Sequence, residues 1–119
     1  MFLRNAAGTA VFNAEKMGKT TLVHGTQMMA GLNCFEPGQE HALHTHAGQE
    51  KLYMVLEGTA IVQIGEEQQT LTVGDGAFAG SDVPHSVKNP GPGRLVILAV
   101  LAPPPSKKDR KSTRLNSSH

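Results

Sequence analysis

Gly38-Gln-Glu-His41-Ala-Leu-His44-Thr-His46-Ala-Gly-Gln-Glu50-Lys51-Leu-Tyr53-Met-Val-Leu-Glu-Gly58 packs three histidines, three glutamates, a lysine and an apolar run between two turns. Pro37-Gly38 opens the stretch and Glu57-Gly58 closes it. In an extended strand, residues i and i+2 share a face, so His44 and His46 project side by side. A strand presents two imidazoles to one metal ion in this way. His41 is offset from His44 by three, which places it on the opposite strand face, and His41 and His24 read as surface polar residues.

Outward from this stretch, strand-like runs follow one another at short intervals: 20–24, 27–35, 41–46, 52–56, 60–64, 69–73, 76–78, 85–87 and 95–101, with Thr9–Phe12 as a further short candidate. Turn chemistry separates them at Gly25, Pro37-Gly38, Gly48, Gly58, Gly65, Gly74-Asp-Gly76, Asp82-Val-Pro84 and Asn89-Pro-Gly-Pro-Gly93. No segment sustains a helical period over three turns, so the pattern predicts an all-β sandwich or barrel. Leu95 to Leu101 is apolar on both faces. One face therefore needs a cover beyond its own core, either a second subunit or the N-terminal segment.

The bulk properties narrow the function classes. The chain has 119 residues, enough for one domain with its own core. Basic and acidic residues nearly balance, 11 against 10, so no nucleic-acid or membrane-surface partner is implied. The single cysteine, Cys34, excludes an intrachain disulfide, suits a reducing cytoplasm and reads as a buried small hydrophobe. No apolar run approaches the ~20 residues of a membrane span, and the N-terminus lacks a signal-peptide core. The expected setting is a soluble cytoplasmic one. Pro103-Pro-Pro105 should end the last strand. The organisation expected is N-terminal strands or arm at 1–26, a barrel at 27–105 and a disordered tail at 106–119. Residues 109–119 resemble the translation of a common sequencing-library adapter, which points to an assembly artefact and gives His119 no weight as a ligand. Without them the count is 8 basic against 9 acidic residues.

A second motif, Gly74-x5-Gly80-x-Asp82-x2-His85-x3-Asn89, adds a histidine at the start of a strand, from where it can approach His44 and His46. Imidazole suits iron, zinc, copper and nickel, with manganese tolerated beside oxygen ligands. Three histidines on strands with open positions left over describe a catalytic rather than a closed structural site. Met28, Met29 and Met54 read as core filling, and Asn89 as part of the closing turn.

Together the two motifs resemble those of the cupin superfamily, over about residues 27 to 102. More narrowly, His44 to Gly58 resembles a group of small single-domain bacterial cupins, and Glu36-Pro-Gly and Ala102-Pro-Pro-Pro fit that group. The resemblance implies a double-stranded β-helix, a jelly-roll barrel with a metal in its mouth. It implies His44, His46 and His85 as metal ligands, together with an acid of the first motif. Counted forward from His46, Glu50 occupies an allowed ligand position. Counted back from Gly58, the acid's place holds Lys51. The two residues face opposite ways, because the strand period is two. A bulge near Gly48 would turn Glu50 inward. Without one, Lys51 either enters the barrel or snorkels to its rim. Tyr53 is a candidate substrate contact, or packs at a rim or interface.

The function these residues imply is a divalent transition-metal cupin that acts on or binds a small anionic organic molecule. Iron is the first candidate, with manganese, nickel or zinc after it. Dioxygenase-like chemistry leads. Isomerase, lyase or decarboxylase chemistry fits the same residues, and the alternative is a non-catalytic small-molecule-binding module. A homodimer is expected, as in many small cupins.

Overall fold

The computed structural model describes residues 1–105, and the tail expected at 106–119 lies outside the described residues. Nine strands run in order: β1 (Gly18–His24), β2 (Met29–Phe35), β3 (Glu40–His44), β4 (Glu50–Glu57), β5 (Thr59–Ile64), β6 (Glu67–Thr72), β7 (Gly76–Ala79), β8 (His85–Lys88) and β9 (Leu95–Ala102). They build two sheets, β1-β2-β9-β4-β7 and β3-β8-β5-β6, antiparallel at every pairing. Strand spacing and turn chemistry predict an all-β sandwich or barrel, and the architecture is the double-stranded β-helix, the jelly-roll barrel, that the resemblance implies.

The core follows from strand parity. Tyr53 and Val55 on β4 stand opposite Ala99 and Ile97 on β9, and Phe35 on β2 stands opposite Leu95. These side chains meet Ala60, Val62 and Val87 from the other sheet in one buried cluster between the sheets. A Leu or Phe buried this way stabilises the fold by about 1.5–3 kcal/mol. Gly58 closes the β4–β5 turn at φ 86, where any Cβ would run into the Arg94 carbonyl, so only glycine fits.

The other parity of β2 and β9 forms a second cluster, Leu32, Cys34 and Val96, on the outside of the five-stranded sheet. Ala7, Ala10 and Phe12 pack over it, and the Arg94 guanidinium lies 4.2 Å from the Phe12 ring centre. The N-terminal segment therefore supplies the cover that the two-sided apolar β9 requires. It does so without becoming a strand. Thr9–Phe12, expected as a short strand, follows a 3-10 turn at Ala6–Thr9 and makes no ladder pairing, because it crosses the sheet face while β1 holds the edge. Cys34 is buried as expected. Met29 is in the core, whereas Met28 is 42% exposed and does not fill it. No helix among the described residues is long and apolar enough to cross a membrane.

Candidate metal centre

His44 ends β3 and His85 opens β8, and the two are register partners across that strand pair. His46 lies just past the end of β3 in a loop that Gly48 and Ser81 tie down, the Gly48 N–H donating to Ser81 Oγ at 2.9 Å. The ligand-capable nitrogens of His44, His46 and His85 all lie within 4.8 Å of one another. Ring centres are 4.2 Å apart for His44 and His85, 4.9 Å for His44 and His46, and 5.3 Å for His46 and His85. Small ring rotations close such a spread onto one ion. The structure thus brings the three expected histidines together.

Two of the rings are oriented from behind. His44 Nδ1–H donates to the Ala42 carbonyl at 2.6 Å, and His85 Nδ1–H donates to the Val83 carbonyl at 2.9 Å. A carbonyl only accepts, so the proton sits on Nδ1 and each Nε2 keeps its lone pair. The Nε2 atoms of His44, His46 and His85 are all buried and lack a hydrogen-bond partner. Three orphaned ring nitrogens on one spot suit a metal ion, the group that unites neutral imidazoles. Burial, with the Lys51 charge, pushes the His44 pKa down to about 4 and that of His46 to about 3, and burial lowers that of His85. All three are therefore neutral at pH 7, the form that binds metal.

The choice between Glu50 and Lys51 is decided here. Glu50 is exposed and stands outside the histidine group. Lys51 is 1% exposed, so it does not snorkel to the rim. Its Nζ lies 5.0 Å from the Tyr53 ring centre and has no hydrogen-bond partner. Burial and the nearby Lys19 push the Lys51 pKa down to about 7. The ladder shows why Lys51 points inward: it stands opposite Leu101, on the parity of Tyr53 and Val55. The irregularity in the β4–β9 pairing falls between Val55 and Glu57, too late to turn Glu50 inward. Tyr53 itself is fully buried, not at a rim, with its ring 6.0 Å from that of His85 and its hydroxyl unpartnered. Burial raises the pKa of that hydroxyl.

His41 departs from its expected place. The β3–β8 register shifts between His41 and His44, so the two rings share the inner face and stack 4.0 Å apart. The extra residue of the bulge cancels the three-residue offset. His41 Nδ1 is buried without a partner, and burial followed by the Lys51 charge drives its pKa to about 2. No spacing rule applied to the sequence alone shows this fourth histidine, since the shift arises only in the pairing. His24 ends β1 and is exposed, as expected.

Comparison with known proteins places this site in a family. A model described as a cupin domain matches residues 31–101. An uncharacterised protein of Methanocaldococcus jannaschii is 32% identical over 72 residues, 60% of this chain; the chain spans only 58% of that relative's length. Among solved structures, a protein of Thermus thermophilus superposes with a TM-score of 0.83 at 36% identity, over 87% of this chain and 98% of that one. A protein described as a predicted oxalate decarboxylase from Thermotoga maritima gives a TM-score of 0.68 at 25% identity, over 72% of this chain and 79% of the other. Both motif histidine groups fall within the matched span, and the chain belongs to the cupin domain family.

Proposed function

We propose that this chain is a metal-dependent cupin in which His44, His46 and His85 hold a divalent first-row ion, iron before manganese, nickel or zinc, and which acts on a small anionic organic molecule. The observation that carries the reading is the convergence of three buried, unpartnered Nε2 atoms. Bound there, such an ion supplies Lewis acidity and a template for dioxygen or for a chelating substrate. The chain's own residues do the rest. The Ala42 and Val83 carbonyls hold two rings in the binding tautomer. The buried Lys51 and Tyr53 set a cationic, donor-rich wall that selects an anion. Dioxygenase-like turnover leads, and decarboxylation is a close rival, given the Thermotoga likeness.

A specific observation favours the second reading, a binding module without turnover. With Glu50 outside, the charges acting on Lys51 and the site histidines come, among the described residues, from lysines and histidines, so these residues offer the site no carboxylate to serve as a general base. The proposed setting is the cytoplasm. The proposed assembly is a homodimer through the outer face where Leu52 and Phe78, paired across β4 and β7, are 41% and 55% exposed.

The test is anaerobic purification, elemental analysis and oxygen uptake across a panel of organic acids. Stoichiometric metal, lost in His44→Ala and His85→Ala, with acid-dependent oxygen consumption supports the enzyme. Metal together with ligand-induced thermal shifts and no product supports the binding module. A protein that stays metal-free after iron, manganese, nickel and zinc loading sinks both metal readings.

A further inference from the structure

Lys51 brings a buried amine with no acceptor into a barrel whose other unpartnered groups already await a ligand. A fully buried ammonium without a counter-ion is costly, and native structures rarely leave one so. The Tyr53 hydroxyl and His41 Nδ1 share this condition. The Lys51 Nζ lies 5.0 Å from the Tyr53 ring centre, and that ring lies 6.0 Å from the ring of His85, so the amine and the histidine group share one interior. A divalent ion on that group would add two positive charges beside the ammonium, with no carboxylate among the described residues grouped there to offset them. A neutral ligand leaves all of that charge uncompensated, and a cation adds to it. A small anion with two oxygens satisfies both sides, taking hydrogen bonds from Lys51 and Tyr53 while it faces the metal.

We propose that this barrel binds its divalent metal and a small carboxylate as one positively coupled pair, with the Lys51 ammonium as the carboxylate's partner. The proposal rests on the three-histidine reading above. Coupling of this kind is reciprocal, so carboxylate must tighten metal binding by the factor by which metal tightens carboxylate binding. Removing the ammonium must raise metal affinity and abolish the dependence on the anion.

The test uses the full chain, stripped of metal, with cobalt(II) and formate as probes. Cobalt is titrated calorimetrically in sodium perchlorate and in sodium formate at equal ionic strength, and the visible cobalt band is recorded in both. The wild type should bind cobalt about tenfold more tightly, or better, in formate, with a shifted band. Lys51→Met should bind cobalt more tightly than the wild type in perchlorate and gain less than about threefold from formate. Lys51→Gln serves as a second variant, with circular dichroism confirming the fold of each. Equal wild-type affinity in both salts overturns the coupling while leaving the metal site standing. A full formate gain retained in Lys51→Met overturns the role of Lys51. Absence of cobalt binding in the wild type and both variants removes the three-histidine site and the coupling with it.

Discussion

Replacing Lys51 with methionine should change how the stability of the metal-free protein depends on pH. Lys51 is 1% exposed, and burial followed by the Lys19 charge lowers its pKa from 10.5 to about 7. The unfolded chain, with the ordinary value, holds the proton up to pH ~10.5, whereas the folded chain releases it near pH 7. Stability must therefore rise as pH climbs between these two values, and the full penalty applies below them. At about 1.4 kcal/mol per pKa unit, folding carries a Lys51 penalty of about 4 kcal/mol at pH 7. Of this, about 2 kcal/mol is recovered by pH 9. These are ceilings, since local relaxation and water entry soften them. Methionine fills a similar volume without the charge. Urea unfolding in a chelating buffer at pH 7, 8 and 9 should show wild-type stability climbing. Lys51→Met should start higher and climb less, keeping only the smaller contribution of Lys19, whose pKa burial lowers to about 8. Parallel curves for the two proteins would refute an ammonium buried in the barrel.

The metal-free protein should also weaken in acid. Burial puts the folded pKa of His44 near 4 and that of His46 near 3, so the unfolded chain takes up protons first and the melting temperature falls as pH drops below ~6.5; a flat profile between pH 6.5 and 4.5 contradicts the burial of these rings. Asn89→Ala should cost about 2–3 kcal/mol in urea unfolding, because its Nδ2 donates to the Phe35 and Gly93 carbonyls at 3.1 and 2.9 Å and its Oδ1 accepts from the Gly91 N–H at 2.8 Å. A loss below ~0.5 kcal/mol would mean water replaces all three bonds. Gly58→Ala forces a Cβ onto a φ of 86 against the Arg94 carbonyl and should cost more than about 2 kcal/mol, read as a lowered melting temperature. Phe78→Glu should convert the proposed homodimer to a monomer by light scattering, and a monomeric wild type would exclude that interface.

Much of this protein was legible in its sequence. Period-two patterning broken by glycine and proline turns specifies short strands, and their number and spacing specify an all-β sandwich or barrel, because these signals are local. His44 and His46 could be read as a pair because they lie two residues apart, although the strand expected through 46 ends at His44 and the loop after it carries His46 to the same site. The turn role of Asn89 and the burial of Cys34 were equally local. The cover for β9 was foreseen only as two alternatives, and the packing of Phe12 and Ala10 over Leu32, Cys34 and Val96 chose the N-terminal segment.

Tertiary structure decided everything that turns on register. His85 becomes a partner of His44 only through the β3–β8 ladder. His41 joins the inner face only because that ladder slips by a residue, and no chain-local count contains a slip. The face of Lys51 was undecidable from parity alone, since Leu52 and Met54 offered as good an apolar stripe as Tyr53 and Val55. Pairing with β9 settled it, setting Lys51 opposite the buried Leu101 and leaving Glu50 in solvent. Sequence suggests which residues share a face, but the register and bulges of the neighbouring strand determine which face each residue takes and which face is the inside, and here that difference buries the Lys51 amine in the barrel that holds three histidines.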